Sequence, residues 1–180
     1  MLATAVQHPG PAAVRYPRGA ATGCKMDEEL KTLPLGQARV LRKGKDLTLL
    51  AVGSMVRMAE EVAAVLASSG IDAAVINARF VKPLDEKCIL DHALQTGRLY
   101  TLEEHVLQCG FGSAVMELIL SRGLNGVTVK SFGFPDNFVE HGSPAVLLAR
   151  YGLTVEQVAR SISESFVRKT YPRKLRLAPS

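Results

Sequence analysis

Short apolar runs alternate with amphipathic segments between residues 47 and 167, and this alternation restricts the possible folds more than any other feature of the sequence. The runs have the length of a β-strand and are apolar throughout, which is typical of parallel strands covered on both faces. The segments between them repeat apolar residues at helical spacing. Together they predict an α/β fold: a mostly parallel sheet of about five strands, with helices on both faces, formed by residues 37–167.

The first strand and helix of this series are the clearest. Residues 47–53 form a nearly unbroken apolar strand, and Ser54 stands where a helix N-cap is expected. Gly70 ends the helix that follows, as a glycine just after the last helical turn commonly does. We predict further strands over 71–77, 98–103 and 127–132, and helices over 85–95, 113–121, 143–150 and 155–167.

The chain on either side of this series is organised differently. Residues 1–19 contain a short helix, a turn and a strand over 12–16, and residues 20–36 form a linker because they are rich in Gly and charged residues without periodicity. Residues 168–180 carry five basic side chains and no acidic one, which predicts a disordered basic tail. The predicted organisation is therefore an incomplete N-terminal segment (1–19), a linker (20–36), one domain (37–167) and a tail (168–180).

The composition and charge exclude several classes of function. The five basic residues of the tail account for the whole net charge of +5, so the body of the protein is neutral and no nucleic-acid partner is predicted. No apolar run reaches the roughly 18 residues that a membrane helix needs, and the N-terminus has no signal-peptide pattern. We therefore expect a soluble protein without a membrane partner.

Three cysteines, Cys24, Cys88 and Cys109, are widely spaced and form no C-x-x-C pair. Such spacing is typical of reduced thiols in a cytosol-like compartment and not of a disulfide framework or a zinc site. No cluster of His, Cys and Asp has metal-ligand spacing, and the sequence contains no serine elbow. The sequence thus predicts neither a metal centre nor a serine nucleophile.

Ligands in open parallel sheets bind beyond the carboxyl ends of the strands, so the loops that follow the strands are the candidate sites. Gly53 and Ser54 suit either an anion at a helix N-terminus or simple helix capping, and we favour capping. At Arg79 we favour a scaffolding salt bridge over a substrate contact, and Asp85 begins the next helix. The aromatic and charged loop over 135–142 indicates packing against another domain.

The loop after the third predicted strand contains the richest chemistry. Glu103, Glu104 and His105 precede a glycine-containing loop that opens a helix. The glycines do not complete a dinucleotide-binding fingerprint, because Val115 occupies the position of the third glycine, so no nicotinamide site is predicted. The two carboxylates and the imidazole suit either acid–base catalysis or contact with a partner subunit. We favour a structural or interface role for them.

Two arginines near the N-terminus form the last candidate site. A short apolar run leads into Arg15-Tyr16-Pro17-Arg18-Gly19, which places two guanidinium groups on either side of a proline. The planar, permanently charged guanidinium suits bidentate phosphate binding, and the residues alone leave a phosphate site and a surface ion pair equally open. The stretch begins soon after Met1, too early for a complete domain to precede it, so we expect this chain to be part of a longer enzyme.

These segments, in this order, resemble the 1-deoxy-D-xylulose-5-phosphate synthases, thiamine-diphosphate enzymes of the transketolase superfamily. Residues 10–19 resemble the end of the pyrimidine-binding domain of that family, and residues 33–36 resemble its linker. Five segments resemble its C-terminal domain, namely 78–85, 103–105, 110–113, 135–136 and 141–142. The resemblance covers nearly the whole chain up to about residue 167, and the R-Y-P-R-G run carries it most specifically.

The resemblance implies an activity. The family condenses pyruvate with glyceraldehyde 3-phosphate, with loss of CO2, to make a precursor of isoprenoids, thiamine and pyridoxal. Thiamine diphosphate and Mg2+ carry the chemistry in these homodimeric enzymes. Arg18 matches the arginine with which the family grips the phosphate of the aldehyde, whereas the role of Arg15 stays open. The family also implies a bacterial cytoplasm or a plastid as the compartment.

The parts of the family that hold the cofactor match nothing in this chain. Its diphosphate- and magnesium-binding domain, its cofactor-activating glutamate and most of its pyrimidine-binding domain are missing. We therefore expect no catalytic, cofactor-binding or metal-binding residue here, and no activity from the isolated chain. The missing N-terminal portion of the same enzyme is then the expected partner.

Two alternatives to this interpretation remain. The chain would serve either as a stand-alone docking or regulatory module of the transketolase C-terminal type, or as one half of a split thiamine-diphosphate enzyme. A domain that began cleanly near residue 37 would favour the module. The arginine stretch over 15–18 counts against it, because a docking module has no need of part of a substrate site.

Overall fold

The computed structural model describes residues 1–16 and 28–167. Its strands are β1 (Arg39–Arg42), β2 (Leu47–Ala51), β3 (Ala73–Asn77), β4 (Arg98–Val106) and β5 (Thr128–Phe134). Its helices are α1 (Leu2–Gln7), α2 (Met55–Ser68), α3 (Glu86–Thr96), α4 (Phe111–Ser121), α5 (Pro144–Arg150) and α6 (Val155–Val167). The predictions for Arg18, for Cys24 and for the tail lie outside the described residues.

The sheet has the strand order β1-β3-β2-β4-β5. Strand β2 lies at its centre and pairs in parallel with β3 on one side and with β4 on the other, so that Ala51 aligns with both Asn77 and Leu102. β5 extends the parallel part of the sheet, while β1 runs antiparallel to β3. The prediction of a mostly parallel sheet of about five strands is confirmed.

Two hydrophobic clusters cover the two faces of the sheet, as predicted. On one face Leu49 and Leu102 pack with apolar residues of α2 and α6, and on the other face Leu50 and Leu99 pack with residues of α3 and α4. Leu49 and Leu50 are both fully buried although neighbouring strand residues point to opposite faces. Burial on both faces explains why β2 is apolar throughout instead of alternating.

Strand β1 was not predicted. Its four residues are exposed or half-buried, and two of them are arginines, so the segment lacks the apolar run by which the other strands were found. Basic side chains are a common device on an edge strand, since they discourage pairing with another chain. A short edge strand of this kind is paired on one side only and is largely exposed, so it contains too few apolar residues to be recognised in the sequence.

The predicted strand over 12–16 is wrong. Residues 11–16 have no regular secondary structure, and within the described part of the chain no strand pairs with them. A strand needs a neighbour to take up its backbone hydrogen bonds, so an apolar run without a partner does not become one. The short N-terminal helix is confirmed, and Thr4 on it accepts a hydrogen bond from the backbone amide of Leu33 at 2.8 Å.

Side chains cap the N-termini of α3 and α6, and the cap at Asp85 lies where the sequence predicts the start of a helix. One carboxylate oxygen of Asp85 accepts the amide of Cys88 at 3.0 Å, and the other accepts the amide of Ala38 at 2.8 Å, so Asp85 also ties the entry of β1 to α3. Thr154 and Gln157 cap α6 reciprocally, each side chain accepting the other residue's amide, at 3.3 and 3.2 Å. Among residues 1–16 and 28–167, none of the helices has the length and apolar character that crossing a bilayer requires.

Candidate functional site at the switch point of the sheet

The carboxyl ends of β2 and β4 form the crevice in which an open α/β sheet commonly binds its ligands. The chain leaves β2 towards β3 on one side, and β4 lies on the other side, so the order of strands reverses between them. The connecting helices α2 and α4 cover opposite faces of the sheet, which separates the two loops. Ligand sites in such sheets lie at this topological switch point. Ser54 and Glu104 stand at its two sides.

Glu103 holds the first turn of α4. Its side chain is 1 % exposed, and its two carboxylate oxygens accept the backbone amides of Phe111 and Gly112, each at 2.7 Å. These amides are among the four that a helix N-terminus leaves without a partner inside the helix. The helix dipole also stabilises a negative charge at this end. Both oxygens are engaged within the protein, so Glu103 has a structural role.

The two glycines of the same loop make room for this arrangement. A Cβ atom on Gly110 would lie 2.4 Å from a carboxylate oxygen of Glu103. On Gly112 it would lie 2.2 Å from the hydroxyl of Ser131, which accepts a hydrogen bond from Thr101 at 2.8 Å. Close packing therefore accounts for these glycines without a dinucleotide.

Glu104 and Ser54 connect the two sides of the crevice. The Ser54 hydroxyl donates to carboxylate oxygen Oε2 of Glu104, and the Arg15 guanidinium donates from Nη2 to the Glu104 backbone carbonyl at 3.0 Å. We call Arg15, Ser54 and Glu104 the switch-point cluster. Ser54 does occupy the N-cap position of α2, but its hydroxyl makes no bond to the first turn. The predicted capping bond is therefore wrong, because the carboxylate takes the hydroxyl instead.

His105 stands apart from the two glutamates. It is exposed, and its ring Nδ1 lies 3.1 Å from the carbonyl oxygen of Val106. Within the described residues the imidazole makes no hydrogen bond to Glu103 or Glu104. The structure thus does not assemble the acid–base group that the sequence left open.

Arg79 is held by its backbone. It adopts a left-handed conformation with φ of 58°, and its amide donates to the side-chain oxygen of Asn77 at 2.9 Å. In the part of the chain that the structure describes, no carboxylate lies within ion-pair distance of its guanidinium. The predicted scaffolding salt bridge is not found there, and the Asn77 side chain orders the turn after β3 instead.

An apolar groove adjoins the switch-point cluster. It is lined by Glu104, Phe134, Val139, Pro144 and Leu147. Phe138 is fully exposed beside it, Val146 is 60 % exposed, and α5 buries none of its residues. Large apolar side chains left in water as a contiguous group commonly mark an interaction surface. The packing of the loop over 135–142 against another domain stays a prediction.

Residues 1–16 and 28–167 contain no group of three or more His, Cys, Asp or Glu side chains that could hold a metal ion. The two carboxylates at the switch point are already bonded to Ser54 and to the amides of α4.

The thiol of Cys88 is predicted to be unreactive. Burial, assisted by the charges of Asp85 and Asp91, raises the pKa of Cys88 to about 11. At pH 8 only about one thiol in a thousand would be ionised, and the thiolate is the reactive form. We expect iodoacetamide to label the exposed Cys109 first and to label Cys88 only as the pH approaches 11.

Mass spectrometry of alkylated peptides tests this expectation, and a Cys24→Ser background simplifies the assignment. Labelling of Cys88 at the same rate as Cys109 at pH 8 would contradict the raised pKa of the Cys88 thiol.

Comparison with known proteins gives the family. The model of the transketolase C-terminal domain matches residues 36–158. The chain is 63 % identical over 177 residues to the 1-deoxy-D-xylulose-5-phosphate synthase of Pelotomaculum thermopropionicum, a match that covers 98 % of this chain and 28 % of that enzyme. It is 58 % identical over 179 residues to the enzyme of the same name from Desulforudis audaxviator, covering 99 % of this chain and 28 % of the relative.

Solved structures share the fold. The structure titled "Split gene transketolase, inactive beta4 tetramer" superposes with a TM-score of 0.70 at 34 % identity, covering 76 % of this chain and 44 % of that one. A mutant transketolase from Pichia stipitis superposes with a TM-score of 0.54 at 18 % identity, over 74 % of this chain and 18 % of that one, which shows the fold alone. The chain spans about 28 % of the length of the curated relatives that it matches. Because the family model matches residues 36–158, more than half of the chain, this chain belongs to the transketolase C-terminal domain family.

Proposed function

We propose that this chain is the C-terminal portion of a 1-deoxy-D-xylulose-5-phosphate synthase, which condenses pyruvate with glyceraldehyde 3-phosphate and releases CO2. One observation carries the proposal: the 63 % identity extends over 177 residues and so continues through the arginine stretch over 15–18, well outside the matched domain over 36–158. A domain kept only for docking would have no reason to share that stretch. The bacterial relatives favour a bacterial cytoplasm as the compartment.

In the proposed enzyme the cofactor is expected to bind outside this chain. Thiamine diphosphate supplies the carbanion chemistry that decarboxylates pyruvate and joins its remaining carbons to the aldehyde. The family resemblance assigns the cofactor and Mg2+ to the N-terminal portion of the enzyme, because the diphosphate- and magnesium-binding domain of the family matches nothing in this chain. The isolated chain is then expected to be inactive and to show no thiamine-diphosphate binding by calorimetry.

Within this proposal Arg18 binds the phosphate of the aldehyde substrate. The support is its position in the R-Y-P-R-G run and the fit of a planar, always charged guanidinium to a phosphate. Glyceraldehyde 3-phosphate carries a phosphate and pyruvate carries none. The proposed role therefore predicts that replacing Arg18 weakens the binding of glyceraldehyde 3-phosphate and leaves the binding of pyruvate unchanged.

The substitution Arg18→Ala tests this role in a chimera, defined as the Pelotomaculum thermopropionicum enzyme with its matching C-terminal part replaced by this chain. We expect the KM for glyceraldehyde 3-phosphate to rise by roughly one to two orders of magnitude, because a charge-assisted hydrogen bond contributes about 1.5–3 kcal/mol. The KM for pyruvate should change little. The matched control is Arg57→Ala, an exposed arginine of α2 that pairs with Glu61 at 2.9 Å. Equal KM values in the Arg18→Ala and control enzymes would refute the role.

The apolar surface formed by Phe138, Val146 and the adjoining groove is proposed to pack against the remainder of the enzyme, which the family resemblance makes a homodimer. The exposure of these side chains supports this, since an isolated soluble domain has little reason to leave such a group in water.

A split enzyme is the second candidate, and the split-gene transketolase among the structural neighbours favours it. In that case the N-terminal portion is a separate chain. The coding sequence upstream of Met1 distinguishes the candidates: an in-frame continuation indicates a single longer enzyme, and a separate neighbouring gene for the N-terminal portion indicates a split one. Restoration of activity by mixing the two purified parts would support the split form.

A further inference from the structure

We infer that the switch-point crevice is a socket for the chain's own Arg15, and that Arg15, Ser54 and Glu104 are positioning residues for the segment that carries Arg18. The contact between Arg15 and the domain is observed, and its consequence for substrate binding rests on the proposed function. The inference also assigns Arg15 a role that the sequence left open between phosphate binding and a surface ion pair.

The atom that accepts the Arg15 hydrogen bond is the backbone carbonyl oxygen of Glu104, near the end of β4. Glu104 belongs to β4 and lies beyond Leu102, the last residue paired with β2, in the stretch between Leu102 and Val106 where the register with β5 shifts. Its carbonyl oxygen accepts the Arg15 guanidinium at 3.0 Å, across 89 residues of sequence. Leu102 and Val106 are both paired with β5, so the backbone between them is held at both ends, and the Glu104 carbonyl can orient the side chain that binds to it.

The side chain of Glu104 is fixed from the opposite side. Its carboxylate accepts the hydroxyl of Ser54, which stands at the N-terminus of α2. The usual partner of a serine at this position is an amide of the first helical turn, and Ser54 makes no such bond. The Ser54 hydroxyl therefore links the loop after β2 to the side chain of Glu104, while the backbone carbonyl of Glu104 accepts the Arg15 guanidinium.

The short distance along the chain makes this contact relevant to Arg18. Only Tyr16 and Pro17 stand between the two arginines, so three residue steps of at most roughly 3.6 Å each keep their Cα atoms within about 11 Å of each other. Pro17 stands between them, and its ring removes one of the few rotatable backbone angles. Fixing Arg15 on the domain thus limits the region that Arg18 can reach.

A fluorescence experiment on the full chain tests the socket without any enzymatic activity. The chain contains no Trp, and Tyr16 is 77 % exposed, so Tyr16→Trp introduces a single tryptophan next to Arg15, whose emission can be excited selectively over that of the remaining tyrosines. We expect its anisotropy to decay mainly with the tumbling of the whole protein. Adding Arg15→Gln should introduce a fast phase of large amplitude into the anisotropy decay, because the tryptophan then moves independently of the domain. Adding Ser54→Ala should introduce a fast phase of smaller amplitude. The control Arg57→Gln should leave the decay unchanged, and circular dichroism checks that each variant is folded.

The outcomes of this experiment are decisive for each residue. An unchanged decay in the folded Arg15→Gln variant would overturn the socket. A change with Arg15→Gln but none with Ser54→Ala would keep Arg15 and remove Ser54 and the Glu104 carboxylate from the positioning role.

A kinetic measurement on the chimera tests the consequence for substrate. We expect Arg15→Gln to raise the KM for glyceraldehyde 3-phosphate by about threefold to tenfold, less than Arg18→Ala, since only the placement of the segment is disturbed. An increase as large as that of Arg18→Ala, together with an unchanged anisotropy decay, would make Arg15 a phosphate ligand and overturn the inference. If the chimera has no synthase activity, the proposed function fails, while the anisotropy still decides whether the socket exists.

Discussion

Replacing Glu103 with alanine is expected to lower the free energy of unfolding of this protein by about 3 kcal/mol. The substitution removes two charge-assisted hydrogen bonds, each 2.7 Å long, and leaves two amides at the buried start of α4 without partners. It also removes a negative charge from the end of the helix where the dipole favours one. Urea denaturation of the full chain, followed by circular dichroism, measures the change.

The matched control is Glu117→Ala on the same helix. Glu117 is exposed, and a substitution of this kind typically changes stability by no more than about 0.5 kcal/mol. If the two variants were equally stable, the carboxylate of Glu103 would not be holding α4, and a catalytic role for Glu103 would need to be reconsidered.

The substitution Gly112→Ala should be nearly as damaging, with an expected loss of about 3 kcal/mol from overpacking. A new Cβ atom would lie 2.2 Å from the Ser131 hydroxyl and 2.6 Å from that of Thr101, far inside contact distance. Intrinsic helix propensity acts in the opposite direction, because alanine is a better helix former than glycine. A loss of stability therefore reports the close packing between α4 and the sheet.

Gly10→Ala provides the comparison for this second variant. Its Cβ atom would meet the ring of His8 at 3.4 Å, an ordinary contact distance, so little change in stability is expected. A Gly112→Ala protein as stable as the parent, by the same denaturation measurement, would show that α4 can move away from Ser131 without cost.

The order of strands and helices could be predicted from the sequence because burial on both faces leaves an unmistakable pattern. β2 and β3 are almost entirely buried, and each is followed by a helix with one apolar face. The two errors concern segments to which this reasoning does not apply. β1 is a half-exposed edge strand, and the apolar run over 12–16 has no neighbouring strand among the described residues to pair with.

The site was less accessible to sequence reasoning. Glu103 and Glu104 are adjacent and chemically identical, yet one caps a helix from within the core and the other bridges two loops. Glu103 is buried and Glu104 is half-buried, but two adjacent glutamates at the end of an apolar strand do not indicate in the sequence which of them faces the core. The contact of Arg15 with Glu104 spans 89 residues and depends on where the sheet reverses its strand order, so only the folded chain reveals it.

The measurement that most directly tests the account is the formation of 1-deoxy-D-xylulose 5-phosphate by the chimera. The Pelotomaculum thermopropionicum enzyme would be produced with this chain in place of its matching C-terminal part and assayed with pyruvate, glyceraldehyde 3-phosphate, thiamine diphosphate and Mg2+. The account predicts product at a rate comparable with that of the unaltered relative. A chimera that is folded and binds thiamine diphosphate but forms no product would contradict it.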